Sequence, residues 1–299
     1  MTVVVPESVL SGYARFSLYN SPYPAHNRGC AIDLYPGTLE GGRTTAAPSP
    51  VSGVVRETAS VRAPSKPYAP AHDHLILVDC DGPPELEGLV ARILHVEPAV
   101  EDGDRLEVGD SLGDLIRAGF FAPWVDNHLH VGFRRPDQNL RRATGSLPLE
   151  SGVEIRPLPW DGTGTVVASG ETYAVLDAPA HPNPGSEFVG IGVGRENGAP
   201  ADGFAGVLDG GLPHYDGGGV FRSSALEGPV LIVGDRIGVV DGDDGRTVAW
   251  DDVVVTANGD PVTGLSTFCA RDGGFGAKLV ERDHGLAVGD RVQVRVRRE

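Results

Sequence analysis

Two histidines one residue apart, His128 and His130, have a type and spacing that suit chemistry. They lie in the alternating run His-Leu-His-Val-Gly-Phe at residues 128–133, a pattern typical of a β-strand. Because residues two apart share one face of a strand, both imidazoles are expected to point the same way, with Leu129 and Val131 toward the opposite layer. Such a pair suits a metal site, or one ligand beside a proton-transfer group. Two half-exposed strand histidines are the plainer alternative.

The composition predicts a mostly β protein. Forty-two glycines and 24 prolines are spread among short apolar runs in a chain of 299 residues, which is long enough for two domains. No window keeps helical periodicity over more than a few turns. The formal net charge is −16, and Lys66 and Lys278 are the only lysines.

This acidity argues against duplex nucleic acid as a partner, because binding it needs clustered positive charge. The same acidity suits a halophilic protein, even a haloarchaeal one, while a GC-rich genome is the simpler explanation of the scarce lysines.

The amino terminus has no secretory pattern, and no apolar run reaches membrane-spanning length. The three cysteines are scattered and odd in number, so no disulfide framework is implied. We therefore expect a cytoplasmic protein with no membrane partner.

A composition shift after Pro136 divides the chain. The pattern predicts a first domain over residues 1–136, a polar linker over 137–150 and a second β-rich domain of unknown role over 151–299, which could mediate homo-oligomer contacts. Within the second domain, the glycine-rich residues 210–219 are interpreted as a long surface connection in preference to a loop that closes over a groove. Residues 241–245, Asp-Gly-Asp-Asp-Gly, are interpreted as a solvated turn because they lack the spacing of a calcium loop.

Three further residues in the first domain are candidates for a site. Asp33 lies in an apolar strand, where a carboxylate is costly to bury unless it is paired or binds a cation, although a surface-facing position would explain it equally well. His26 is in the proline-rich loop before that strand. His95 is predicted to share a strand face with Ile93. A second His-x-His, at residues 72–74, is interpreted as surface polar residues or the rim of a groove.

These candidates form a coherent set if they converge. His26, Asp33 and His130 would provide two imidazoles and one carboxylate, a three-ligand set that leaves a fourth position for water. His95 and His128, on neighbouring strands, would flank that position. Zinc would lower the pKa of the water to roughly 7 and polarise a carbonyl group. The flanking histidines could then accept the proton or stabilise the oxyanion.

The order of these motifs resembles the lysostaphin-type (LytM-like) zinc metallopeptidases over about residues 20–136. The resemblance is carried by the following segments in order: His26 and Ala-Ile-Asp33, Pro-Val-Ser-Gly-Val-Val at 50–55, Leu-His-Val at 94–96, Val-Gly-Asp-x-Leu-Gly at 108–113, and Asn-His-Leu-His-Val at 127–131. It implies a duplicated hybrid motif, that is, a two-layer antiparallel β-sandwich with a groove. It also implies metal ligation by Asp33 and His130 and a catalytic pair of His128 and His95.

One position departs from the family pattern. The family places its first ligand histidine four residues before the aspartate, where this chain has Gly29, and His26 stands seven residues before Asp33. Some relatives have a longer loop there, which this sequence looks like, so His26 is taken as the first ligand. The function implied is a zinc-dependent metallopeptidase-like hydrolase that cleaves a peptide bond of an unidentified substrate.

Two other functions fit the same pattern. A catalytically inactive module with the hybrid fold would bind a metal or act as a scaffold without hydrolysis. A lipoyl-like carrier would need a modified lysine, for which Lys66 is the candidate in the first domain. If His26 could not reach zinc-bonding distance of Asp33 and His130, the enzyme hypothesis would weaken sharply.

Overall fold

The computed structural model describes residues 1–39, 41–194, 203–221, 228–241 and 245–298. Its contacts divide the chain into two units, the first formed by Met1–Phe16 and Arg28–Val153, the second by Ser17–Asn27 and Glu154–Glu299. Both units consist mainly of β-strands in antiparallel sheets, which confirms the predicted mostly β, two-domain class. The predicted boundaries at residues 136 and 151 stay a prediction.

Up to residue 152 the strands are short except for one long hairpin, and the helices are single turns. In chain order the elements are β1 (Val3–Pro6), α1 (Glu7–Leu10), β2 (Arg15–Ser17), α2 (Pro24–Asn27), β3 (Ile32–Tyr35), β4 (Ala46–Pro48), β5 (Ser52–Arg62), β6 (His72–Gly82), a 3-10 turn (Pro84–Leu86), β7 (Val90–Leu94), β8 (Val96–Pro98), β9 (Arg105–Leu106), β10 (Ser111–Leu115), β11 (Leu129–Arg134) and β12 (Leu149–Gly152).

From residue 153 on, the elements in the described residues are all strands. They are β13 (Ile155–Leu158), β14 (Thr163–Gly170), β15 (Tyr173–Leu176), β16 (Phe188–Val193), β17 (Gly206–Leu212), β18 (Gly217–Phe221), β19 (Pro229–Ile232), β20 (Asp235–Asp241), β21 (Thr247–Trp250), β22 (Val253–Ala257), β23 (Asp260–Val262), β24 (Gly264–Thr267), β25 (Cys269–Ala270), β26 (Lys278–Val280) and β27 (Arg291–Arg298). No helix in the described part of the chain is long and apolar enough to cross a membrane.

In the first unit β3, β11, β7, β6, β5 and β9 pair as antiparallel neighbours in that order. A smaller antiparallel sheet has the order β4-β10-β8, and β1 pairs with β12 in parallel. On β11, Leu129 and Val131 are fully buried while His130 is partly exposed. This is the alternation that the sequence predicts, and it fixes which side of β11 the histidine faces.

His95 does not share a strand face with Ile93, contrary to the sequence prediction. It stands between β7 and β8 and has a φ of 73°, in the left-handed region that side chains other than glycine rarely adopt. The alternation that begins in β7 therefore stops at Leu94. Such a conformation costs of order 1–3 kcal/mol, so the surrounding structure must hold it.

The second unit combines antiparallel ladders with one parallel pair, β13 with β16. Residues 210–219 are not a long surface connection, since they end β17 and begin β18, which pair with each other. A Cβ atom at Gly218 or Gly219 would lie within 2.3 Å of the Trp250 ring or 2.2 Å of the Tyr19 ring. The prediction was wrong because these glycines make room for aromatic rings on a strand instead of forming a turn. Of the acidic turn at 241–245, residues 242–244 lie outside the described residues.

Candidate metal centre

Asp33 lies at the centre of the histidine cluster. It sits on β3 between Ile32 and Leu34, and all three residues are buried. The antiparallel register places His130 of β11 directly opposite Asp33. Nδ1 of His130 is 3.0 Å from Oδ1 of the carboxylate. The pairing of two strands is thus sufficient to bring one imidazole to this acid.

His128 approaches the other oxygen of the same carboxylate. It precedes β11 by one residue and is buried, and its Nε2 is 3.4 Å from Oδ2 of Asp33. Its Nδ1 donates a hydrogen bond to the carbonyl oxygen of Asp126 at 2.9 Å, which leaves Nε2 to face Asp33. Burial lowers the pKa of His128 to about 4, against the opposing effect of Asp33. The neutral ring therefore directs a lone pair toward an acid, and a cation bound to Asp33 would relieve the repulsion between them.

Aromatic and charged neighbours fix the His128 ring. Phe121 stacks on it with ring centroids 4.4 Å apart, and Tyr35 lies at 4.8 Å. Arg15 covers Tyr35 and forms an ion pair of 2.6 Å with Asp126, the residue whose carbonyl accepts from His128. The orientation of His128 is therefore held from three sides.

Asp73 holds His95. The carboxylate is fully buried and accepts from His95 Nδ1 at 2.5 Å and from the His95 backbone N–H at 3.0 Å. The backbone N–H of His74 donates to it at 2.7 Å. Burial alone would raise the pKa of Asp73, but charge and hydrogen bonding from His95, with the backbone donors, leave that pKa below its ordinary value. The two bonds to His95 explain how the left-handed backbone at that residue is maintained.

The His95 ring reaches the other histidines. Its centroid is 5.3 Å from that of His128 and 5.7 Å from that of His130. Phe121 contacts it edge-on, with centroids 4.7 Å apart. Because Asp73 engages Nδ1, Nε2 is the ring nitrogen left for a substrate or a water molecule. Within the first unit the structure thus brings together Asp33, His95, His128 and His130.

His26 lies in the segment Ser17–Asn27, which belongs to the second unit by its contacts. It is the third residue of α2, is fully buried, and its Nδ1 is 2.7 Å from the carbonyl oxygen of Leu18. Since a carbonyl only accepts, Nδ1 carries the proton and Nε2 is the nitrogen that can bind a metal ion. Among the described residues, the group of His, Cys, Asp and Glu side chains that could hold a metal ion is His26, Asp33 and His130, with ligand atoms within 4.8 Å of one another.

The spacing of two of these donors, His130 and Asp33, fits a metal ion. Two ligands at 2.0–2.1 Å from one tetrahedral zinc ion lie about 3.3 Å apart, close to the 3.0 Å between His130 and Asp33. Two imidazoles and one carboxylate form a donor set that zinc accepts, and other divalent transition ions accept it too. His26 and His128 each engage a backbone carbonyl through Nδ1, as histidines at metal centres commonly do.

Sequence reasoning missed Asp73, which was grouped with its histidine neighbours as surface polar residues. The structure shows that His72 is exposed, His74 is half-buried and the aspartate between them is fully buried. The available signal was position: Asp73 directly precedes the apolar run 75–78, where an acid needs a partner. The test applied to Asp33 would have identified it.

The chain matches two family models. Residues 4–151 match the "Domain of unknown function (DUF8155) N-terminal domain", and residues 156–297 match the corresponding C-terminal domain. No curated protein has a matching sequence. A solved structure described as "A Novel M23 Metalloprotease Pseudoalterin from Deep-sea" is 16% identical and covers 46% of this chain and 73% of its own, with a TM-score of 0.29. A score of that size carries no argument, so function must be argued from the site.

Proposed function

The chain belongs to the family of the DUF8155 domains, and from the arrangement of its histidines around Asp33 we propose that it is a zinc-dependent, metallopeptidase-like hydrolase. In this proposal His26, Asp33 and His130 bind the metal ion, and His128 and His95 handle protons. The reaction is hydrolysis of a peptide (amide) bond by water. A peptide substrate, a cytoplasmic location and self-association through residues 151–299 accompany the proposal as predictions.

One observation carries the proposal. The ligand atoms of two histidines and one aspartate lie within 4.8 Å of one another, and two more buried histidines adjoin Asp33 and His130. Buried carboxylates and imidazoles are costly unless they are paired or bound to a cation. A cluster with this many of them is expected at a functional site more than in a structural core.

Bound zinc would act as a Lewis acid that acidifies a water molecule and polarises a carbonyl oxygen. The protein residues supply the remaining chemistry. His128 is held by the Asp126 carbonyl through Nδ1, so its Nε2 is the nitrogen that can accept a proton from water or donate to an oxyanion. Phe121 packs against both His128 and His95 and excludes solvent from them.

Asp73 and His95 form a second proton-handling pair. The buried carboxylate receives Nδ1–H of His95, which selects the tautomer with Nε2 free and stabilises the imidazolium when Nε2 takes a proton. His95 can therefore deliver a proton to the leaving amine while His128 acts on the water. Asp73 is a positioning residue in this scheme, because it acts through His95.

The metal content of purified protein tests the proposal. We expect about one zinc ion per wild-type chain, loss of zinc in His130→Ala, weaker but measurable zinc binding in His26→Ala, and unchanged binding in His72→Ala, since His72 is an exposed histidine outside the cluster. Cleavage of a mixed peptide library, followed by mass spectrometry with and without a chelator, tests the reaction. Wild-type protein without stoichiometric zinc would contradict the proposal.

The same measurements separate the rival functions. An inactive module with the hybrid fold would bind zinc through His26, Asp33 and His130 and leave every library peptide intact. A lipoyl-like carrier would bear a modification on Lys66, which is exposed in the loop between β5 and β6. Intact-protein mass spectrometry would reveal that modification in protein from its native source.

A further inference from the structure

A buried carboxylate of the second unit contacts the start of the segment 17–27, which contains His26. Asp209 is on β17, is fully buried, and accepts a hydrogen bond from the Ser17 hydroxyl at 2.6 Å. The backbone N–H groups of Leu18 and Tyr19 donate to its other oxygen at 2.6 and 3.0 Å. One side chain therefore fixes three consecutive residues of the segment 17–27.

Leu18 transmits this restraint to His26. Its N–H donates to Asp209, and its carbonyl oxygen accepts from His26 Nδ1 at 2.7 Å. Displacing Leu18 would therefore change both the position of the ring and the acceptor that selects its tautomer. Leu18 alone connects Asp209 to the His26 ring through these two hydrogen bonds, so a shift of Asp209 is expected to move the ring.

Independent contacts seat the same segment on the second unit. The Tyr19 ring occupies the space where Gly219 lacks a side chain. The Asn20 amide donates to the Ser266 hydroxyl at 2.7 Å and to the Thr267 carbonyl at 3.0 Å. These contacts explain the glycine-rich strand that the sequence left without a role. Burial raises the pKa of Asp209 to about 7, although the hydrogen bonds from Ser17, Leu18 and Tyr19 lower it. Keeping this buried carboxyl group ionised therefore costs free energy.

We infer that Asp209 is a positioning residue for His26, holding Leu18 so that the His26 ring keeps Nδ1 protonated and presents Nε2 as a metal ligand. This rests on the proposed function for the role of Nε2. Asp209 and His26 both belong to the second unit, so this restraint is internal to that unit. Loss of the Asp209 carboxylate should weaken metal binding only through its effect on His26.

The test uses the full chain and compares wild type, Asp209→Asn, His26→Ala and the double variant. Glu281→Gln is the matched control, because Glu281 also accepts from a backbone N–H and a hydroxyl, those of Thr263, away from this segment. The first readout is the His26 tautomer in metal-free protein, from long-range 1H–15N NMR. The second is zinc affinity from competition with a chromophoric chelator.

We expect the Nδ1–H tautomer in wild type and Glu281→Gln, and a mixture of tautomers in Asp209→Asn. Zinc affinity should fall about tenfold or more in Asp209→Asn and stay within about threefold in the control. In the His26→Ala background, Asp209→Asn should produce no further loss. This absence of additivity separates positioning of His26 from a general loss of folding.

Three outcomes overturn the inference or the proposed function separately. A wild-type tautomer in Asp209→Asn overturns the inference whatever zinc does. An equal loss of affinity with and without His26 shows that Asp209 does not act through that residue. A chain that binds no zinc, yet changes tautomer in Asp209→Asn, refutes the proposed function and leaves the positioning of the ring established. If Asp209→Asn does not fold, Ser17→Ala should show the same changes at smaller size.

Discussion

The two His-x-His segments of the first unit have the same sequence pattern and opposite arrangements. In His128-Leu129-His130 the middle residue is buried in the apolar core and the two histidines approach Asp33. In His72-Asp73-His74 the middle residue is the buried one, and it holds His95. The His-x-His pattern therefore indicates that one face of the strand has functional polar side chains. Which face that is depends on how the strand pairs in the sheet.

The difference follows from strand register. β11 lies between β3 and β7, so a residue opposite Asp33 is drawn into the cluster. Position 73 lies near the start of β6, just before the apolar run 75–78 that pairs with β7. Its carboxylate can therefore reach the backbone N–H and Nδ1 of His95, which follows the end of β7. Both segments contribute to one cluster, the first through its outer residues and the second through its centre.

The largest expected effect concerns Asp73. Asp73→Asn should reduce turnover by about a hundredfold, because His95 loses the acid that selects its tautomer and stabilises its imidazolium. KM and zinc affinity should change by less than about threefold, since Asp73 touches no proposed ligand. His74→Ala, on the same strand, should keep turnover within about twofold. Kinetics on a cleaved library peptide measure both, and an equal loss in His74→Ala would contradict the comparison.

A smaller effect is expected on the pH dependence of stability. The folded-state pKa of Asp73 is lower than its ordinary value of 3.8, so its ionised form contributes stability above that value. The contribution disappears as the pH falls from 3.8 through the folded-state pKa. Wild type should exceed Asp73→Asn by about 1–3 kcal/mol at pH 6, and the difference should shrink below pH 4.

Urea unfolding of both proteins from pH 3 to pH 7 checks this dependence. A difference that grows toward acid pH would contradict the assignment, because it would mean that Asp73 takes up its proton more readily in the folded chain. His72→Ala serves as the control and should differ from wild type by less than about 0.5 kcal/mol across the range, as an exposed side chain does.

The smallest effect tests the backbone at His95. Asparagine tolerates a left-handed φ far better than valine does, because the branched Cβ of valine crowds the backbone. Both variants lose the Nδ1 bond to Asp73, so the difference between them isolates the conformation. His95→Val should be less stable than His95→Asn by about 1 kcal/mol in urea unfolding. Equal stability would show that the backbone relaxes there.

Local pattern predicted part of the site well. The alternation at residues 128–133 predicted that Leu129 and Val131 are buried, and an acid in an apolar strand indicated Asp33. Contacts that depend on distant register could not be predicted. Asp73 and His95 are 22 residues apart, and their bond depends on a left-handed backbone that no propensity indicates. Ser17 and Asp209 are 192 residues apart.

The sequence pattern that indicated Asp33 as a buried acid also indicates Asp209. It stands in the run Gly-Val-Leu-Asp-Gly-Gly-Leu at 206–212, where an acid follows two apolar residues of a strand. The neighbouring glycines favour the interpretation of a turn, but glycine permits a turn and also permits an aromatic ring to lie on a strand. Composition alone does not distinguish these uses.

The segment 17–27 belongs by its contacts to the second unit, while the chain on either side of it belongs to the first. No single cut in the polypeptide separates the two units. A fragment ending at residue 153 would still contain His26 but would lack Asp209, Gly219 and Ser266, the residues that seat its segment. An isolated N-terminal half would therefore carry the metal-site residues without the contacts that hold the segment of His26.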